Sequence, residues 1–270
     1  MAVDNTFMKK KLEKMEEVVT LFAQATRLPF IVCDPETYDD QAYVFSDPEK
    51  MAEFAKPLSE QKVGLTAVQI PKDRFRSYYN TLYSMGVNAV MFQEGDSVTR
   101  IQLEDLAPKP DLEKMAKERV PILNPTLQLS TIYFLQELRR QVEHDMPRLR
   151  ELEEEMIVNL TKSKFILGLD VEEPKEGEST DGSNPQMRMP YLKNKDGVIF
   201  QPIFTDFAEF QKFHKEKAAK MRMAPLTLGQ LEKYLVPDSK GFLINPSSFR
   251  LELSKEQLER IVKAFHLEEK

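Results

Sequence analysis

The sequence predicts an α+β protein of two tandem mixed α/β modules, each a small sheet flanked by helices, together a pseudo-symmetric repeat. Three observations predict it. Short apolar runs alternate with stretches of helical periodicity along all 270 residues. A segment with four prolines, Ala107 to Pro125, breaks the alternation near the middle. On either side of it the elements recur in nearly the same order. With 41% apolar residues and 17 Phe, the chain can fill two cores of ordinary domain size.

Met8, Leu12, Met15, Val19 and Phe22 recur at steps of four and three and predict a first helix from about Phe7 to Ala25. Leu28 to Cys33 and Gln41 to Phe45 read as strands joined by the turn residues Asp34 to Asp40. Ser46 with Glu49 fits a capping box, and Pro48 sits where a helical first turn tolerates it. The helix that follows runs to about Lys56, with Met51, Phe54 and Ala55 inward. Val63 to Ile70 is a strand, and Phe75, Tyr78, Tyr79, Leu82 and Met85 form the next helix, closed by Gly86 as a left-handed cap. Val87 to Phe92 and Ser97 to Gln102 flank the tight turn Glu94-Gly95-Asp96. A short helix over Leu103 to Leu106 ends the first module.

Residues 1–107 are thus assigned to the first module, 108–146 to a linker and connecting helix, and 147–270 to the second module. Leu127 to Val142 and Leu149 to Leu160 have helical spacing. Ser163 to Val171 is a strand, and Glu172 to Gln186, without an apolar residue, reads as a mobile loop. Met187 to Leu192 and Val198 to Phe204 make a hairpin across Asn194-Lys195-Asp196-Gly197. Thr205 is the expected cap of a helix carrying Phe207, Phe210 and Phe213. Strands at Met221 to Leu226, Gly241 to Ile244 and Phe249 to Leu253 follow, with short helical spacing at Leu228 to Leu235. The turn Asn245-Pro246-Ser247-Ser248 separates the last two strands, and a final helix, Lys255 to Phe265, opens on the capping box Ser254 with Gln257. Shifting by 159 residues lays Val44-Phe45-Ser46-Asp47 on Ile203-Phe204-Thr205-Asp206. A shift of 152 lays Phe92 on Ile244, Ile101 on Leu253 and Leu106 on Leu258.

Near Pro190-Tyr191-Leu192, Pro202-Ile203-Phe204-Thr205-Asp206, Gly241-Phe242-Leu243-Ile244-Asn245-Pro246 and Leu253 to Leu258, the chain resembles the SseB family, bacterial proteins named for enhanced serine sensitivity. The resemblance covers about Leu149 to Phe265. The first half shows it more faintly, in Pro29-Phe30-Ile31-Val32 and Phe45-Ser46-Asp47, and departs from it where Phe92-Gln93-Glu94-Gly95 replaces the Asn-Pro turn. It implies a small α/β domain and brings no catalytic residues.

Composition excludes several functions. A net charge of −6, with no basic surplus in either half, argues against nucleic acid as a partner. No apolar run reaches membrane-spanning length and no signal-peptide pattern follows the N-terminal lysines, so a cytoplasmic protein without a membrane partner is expected. Only 9 Gly occur, none in a phosphate-binding pattern. The three histidines, His144, His214 and His266, are far apart and without a ligand-spaced neighbour, so solvated helix positions are expected and no metal site. Cys33, beside Asp34, is expected to be a half-buried structural thiol with a raised pKa. Asp34, Glu36, Asp39 and Asp40 lack the order of a calcium loop and read as a polar turn; carboxylate catalysis from Asp34, Asp39 or Asp40 is the weakest alternative. Thr205 is a cap, Asn245 bonds its own backbone ahead of Pro246, and Ser247 and Ser248 continue that turn. No catalytic, cofactor-binding or metal residue is assigned and no cofactor is expected. The expectation is a non-catalytic protein that binds another protein through the groove or a sheet edge between modules; the alternative is a sensor of, or an enzyme on, a polar metabolite or amino acid.

Overall fold

Strand β1 (Glu17–Ala23) lies where the sequence predicts the second half of a helix. The first helix, α1 (Thr6–Lys14), stops at Met15, whose backbone is extended. In β1, Val18, Val19, Thr20, Leu21 and Ala23 are all buried. A strand covered on both faces shows no polar alternation, and its apolar run imitated the helical spacing begun by Met8 and Leu12.

The computed structural model describes residues 5–108, 121–171 and 187–267. The predicted loop 172–186 and the middle of the linker lie outside them. The fold is α+β, in two units: Met1–Val120 with Pro125–Met156, and Pro121–Asn124 with Ile157–Lys270.

In the first unit the chain continues from β1 through β2 (Leu28–Pro29), β3 (Ile31–Cys33) and β4 (Asp40–Phe45) to α2 (Pro48–Glu60), β5 (Leu65–Pro71) and α3 (Phe75–Ser84). Next come β6 (Ala89–Glu94), β7 (Ser97–Gln102) and α4 (Leu103–Leu106). Strand β1 pairs antiparallel with β5 along its length and with β4 at Val19↔Phe45. Strand β4 runs parallel to β6, with Val44 opposite Phe92, and β6 antiparallel to β7, with Val90 opposite Ile101. The β6–β7 connection is a two-residue turn, Gly95-Asp96, with Gly95 at φ 55°. Leu21, Ala23, Phe30 and Phe45 pack under Met51, Phe54, Ala55 and Leu58 of α2. On the opposite face Thr20 donates to the Tyr43 carbonyl at 2.8 Å, which leaves the Tyr78 hydroxyl of α3 to donate to Thr20 at 2.9 Å. Helix α5 (Pro125–Leu138) also belongs to this unit, whereas α6 (Met146–Lys162) carries the boundary between the two units.

The second unit runs β8 (Lys164–Val171), β9 (Met187–Arg188), β10 (Leu192–Lys193), β11 (Ile199–Ile203), α7 (Phe207–His214) and β12 (Arg222–Thr227). Helix α8 (Leu228–Leu231), β13 (Ser239–Ile244), β14 (Leu251–Ser254) and α9 (Lys255–Ala264) complete it. The predicted hairpin forms between β10 and β11, while β9 pairs with β8. Strand β8 pairs antiparallel with β12, with Lys164 opposite Thr227, and meets β11 at the single bridge Ile166↔Phe204. Strand β11 runs parallel to β13, with Ile203 opposite Ile244, and β13 antiparallel to β14, with Phe242 opposite Leu253. Phe204 and Phe210 are fully buried with Ile166 and Ala218. Phe207 is exposed, so two of the three predicted stripe residues face the core: Phe210 fully and Phe213 in part.

Two of the three predicted N-caps move by one residue. Asp47 caps α2, its carboxylate accepting from the Glu49 N–H at 2.8 Å, while the Ser46 N–H donates to the Gln93 carbonyl. Asp206 caps α7, accepting from the Glu209 N–H at 3.0 Å, while the Thr205 N–H is used elsewhere. In each case the hydroxyl residue is still held by the sheet, and the carboxylate beyond it adds a negative charge at the positive helix end. The Ser254–Gln257 capping box of α9 forms as predicted.

Candidate functional site: a free sheet edge and a carboxylate-lined cavity

The residues singled out for chemistry are not brought together. Asp34 accepts from the Glu36 and Thr37 N–H groups at 2.8 and 2.9 Å and from the Gln41 side chain, and the backbone bonds hold its carboxyl below the usual range. Asp39 accepts from Arg100 at 2.8 Å. The segment is a polar turn. Cys33 is exposed, not half-buried, because it closes a three-residue strand at the sheet's rim. What burial it has, followed by Asp40 and Asp34, raises its pKa, and no histidine acts on its charge.

The histidines are separate, and His214 is not the solvated helix position expected. It packs against Phe204, Phe210 and Phe213, its Nε2 is buried without a partner, and desolvation lowers its pKa. His144 lies in the α5–α6 connection with Nδ1 3.7 Å from Glu137, and His266 sits beyond α9 at φ 51°. Among the described residues no group of three metal-ligating side chains converges.

The densest polar cluster is a buried knot in the second unit. Asn245, at φ 47°, accepts from the Thr205 N–H at 3.0 Å and donates to the Thr205 hydroxyl at 2.8 Å. That hydroxyl donates to Asp206 at 2.9 Å. The Ser248 hydroxyl donates to Glu209 at 2.7 Å, and Asn124 donates to the carbonyls of Lys164 and Thr205. Burial raises the Glu209 pKa. Asn245 thus ties two strand ends together instead of bonding only its own turn. These groups satisfy one another, as a structural network requires.

What remains open is a backbone edge. Among the described residues β5 pairs only with β1. Its register continues at both ends through Gln24 N–H to the Gly64 carbonyl and Lys72 N–H to the Glu16 carbonyl, so residues 64, 66, 68, 70 and 72 face β1. The N–H groups of Leu65, Ala67 and Gln69 therefore point away from the sheet, and Pro71 falls where an N–H would do the same. Leu65-Thr66-Ala67-Val68-Gln69-Ile70-Pro71 contains no charge, and Thr66, Ala67 and Gln69 are exposed. Strand β12 is an outer strand of the β12–β8–β9 sheet in the second unit. Ile166 exchanges backbone hydrogen bonds with Phe204, so Pro225, opposite Ile166, also faces outward, and Arg222 adds a charge. That edge is blunted by proline and charge, as edges commonly are; β5 carries no charge, and its one proline, Pro71, stands at its last residue.

A cavity of about 510 Å³ also lies in the first unit, with Asp40, Asn88, Gln102 and Glu104 on its polar side and Leu103 and Leu129 on its apolar side. Asp40 is half-buried, accepts from the Tyr133 hydroxyl at 2.6 Å, and has its pKa raised by burial.

The family model of the SseB protein N-terminal domain matches residues 146–260. This segment is similar to an SseB-family domain. The SseB-type segment contains α7, β11, β13 and the knot around Asn245, but Asn124, which closes that knot, lies outside the matched range. No curated protein matches the chain. Among solved structures, Tic22 from Plasmodium falciparum is similar at 14% identity and TM-score 0.20, covering 97% of this chain and 99% of that one. An Anabaena Tic22, titled as protein transport, is similar at 13% identity and TM-score 0.21, covering 97% of each. At such scores neither likeness carries an argument. Sequence reasoning missed the β5 edge because it judged residues by side-chain chemistry; the signal was an uncharged strand-forming run between Gly64 and Lys72.

Proposed function

We propose that the chain is a non-catalytic protein-binding protein built from two copies of one module, and that its docking element is the outer edge of β5. The common origin is supported by register. With the shifts of 159 and 152, the pair Val44↔Phe92 falls on Ile203↔Ile244 and Val90↔Ile101 on Phe242↔Leu253. With further shifts of 147 for β1 and 156 for β5, the bridge Val19↔Phe45 falls on Ile166↔Phe204, and the ends Glu17↔Pro71 of the β1–β5 ladder on Lys164↔Thr227. Under these four shifts the pairings of β1, β4, β5, β6 and β7 agree in order and sense with those of β8, β11, β12, β13 and β14.

The observation that carries the function is the uncharged free edge with three outward N–H groups. Its partner is an extended, uncharged segment of another polypeptide, which adds as a further strand: main-chain bonds supply affinity and alternate side chains specificity. The test is to select short displayed peptides on the wild-type protein and then challenge them with Gln69→Pro. This substitution removes one outward N–H, at the position where β12 carries Pro225, without touching the β1 ladder. Peptides that bind the wild type and lose at least tenfold in affinity for a folded Gln69→Pro protein support the reading. Peptides held equally by both proteins, or selected peptides that bind only elsewhere, overturn it.

A further inference from the structure

We propose that the cavity walled by Asp40, Asn88, Gln102 and Leu103 is a binding site for a small organic primary ammonium with a short aliphatic body. The site is separate from the β5 edge and goes beyond the protein-binding reading; either can fail without the other.

Charge points to the class of ligand. Asp40 has one oxygen engaged by Tyr133, and its other oxygen has no partner among the described residues. Among the described residues no Lys, Arg or His lines the cavity, and Glu104 is a second carboxylate in its lining. A carboxylate drawn half out of water without a cation is electrostatically uncompensated, and an ammonium is the group that compensates it. Burial raises the Asp40 pKa, and a bound ammonium would lower it again by favouring the charged carboxylate.

Shape narrows the class. The volume lies within the range of small-molecule sites. Leu103 and Leu129 in the lining offer apolar surface to an alkyl chain, and the side-chain amide of Gln102 offers hydrogen bonds. The walls are fixed by the backbone: the Asp40 N–H donates to the Asn88 side chain at 2.7 Å, the Asn88 N–H to the Asp40 carbonyl at 3.1 Å, and the Leu103 N–H to the Asn88 carbonyl at 2.8 Å. Gly86 closes one side at φ 88°, and a side chain there would collide with the Pro125 carbonyl. The carboxylate is thus held by a rigid frame rather than by a loop that can turn it to solvent.

Titration of the full chain with n-butylammonium, followed by backbone amide NMR shifts, tests the site. Butyrate and 1-butanol serve as equal-sized anionic and neutral probes. The expected result is saturable shifts at Asn88, Gln102 and Leu103 with n-butylammonium, at least tenfold weaker responses to butyrate and butanol, and at least tenfold weaker ammonium binding by Asp40→Asn. That variant keeps the acceptor for Tyr133. Equal responses to butanol and n-butylammonium overturn the proposal on the wild-type protein alone, as does an Asp40→Asn affinity within twofold of wild type.

Discussion

Asn245 shows how one side chain sets a strand end. Its φ of 47° is tolerated by Asn better than by most residues, and its amide holds both the N–H and the hydroxyl of Thr205. Asn245→Ala should destabilise the second unit by about 3 kcal/mol, the sum of an unpaired buried N–H and left-handed strain. Asn245→Gly should recover about 1 kcal/mol of that loss, since it removes only the strain. Denaturant unfolding of the two variants separates the contributions. His214 gives a prediction in pH. Its folded pKa lies below the ordinary 6.5, so the unfolded chain binds more protons there, and stability is lost as pH falls below 6.5 until the folded pKa is passed. His214→Gln should flatten the stability profile in that acid window, measured as the melting temperature against pH.

At the scale of elements, Phe210 anchors α7 on β8 and β11. Phe210→Ala should cost roughly 3 to 5 kcal/mol, read as a lowered melting temperature, because the ring is fully buried against Phe204 and His214. Gln69→Pro in β5 should cost less than about 1 kcal/mol, because its N–H faces away from β1; the same measurement checks it. Most of the strand and helix order was legible from period, turn residues and caps, including the β6–β7 turn, Gly86 and the α9 capping box. The misread elements have physical causes. Strand β1 is buried on both faces and so lacks the alternation that marks a strand, and each cap shifted because a distant acceptor, the Gln93 carbonyl for Ser46 and the Asn245 side chain for Thr205, holds the residue before it. The departure at Gln93 is instructive. In the first unit the Gln93 carbonyl accepts from Ser46 and the β6–β7 ladder continues to Glu94↔Ser97; in the second, the ladder opens after Ile244↔Leu251 and the Asn245 side chain accepts from Thr205. The Asn-Pro turn and the tight hairpin are two ways of satisfying one strand-end N–H. The site was less legible, since an open edge is a property of pairing and an uncompensated carboxylate a property of its surroundings.

For the whole molecule, the matched family segment and the folded unit have different limits. Asn124 lies 22 residues before the matched range of 146–260, yet bonds both Lys164 and Thr205. Asn124→Ala should therefore destabilise the second unit by roughly 2 to 4 kcal/mol, leaving the buried Thr205 carbonyl and the partly buried Lys164 carbonyl and N–H short of a partner. Local hydrogen exchange in β8 and α7 reads that loss. The chain visits the second unit for Pro121–Asn124, returns to the first for Pro125–Met156, and leaves again inside α6. The two units are consequently not severable at any one peptide bond: a cut before Pro121 carries α5 away from the sheet it covers, and a cut within α6 strips Asn124 from the strands it joins.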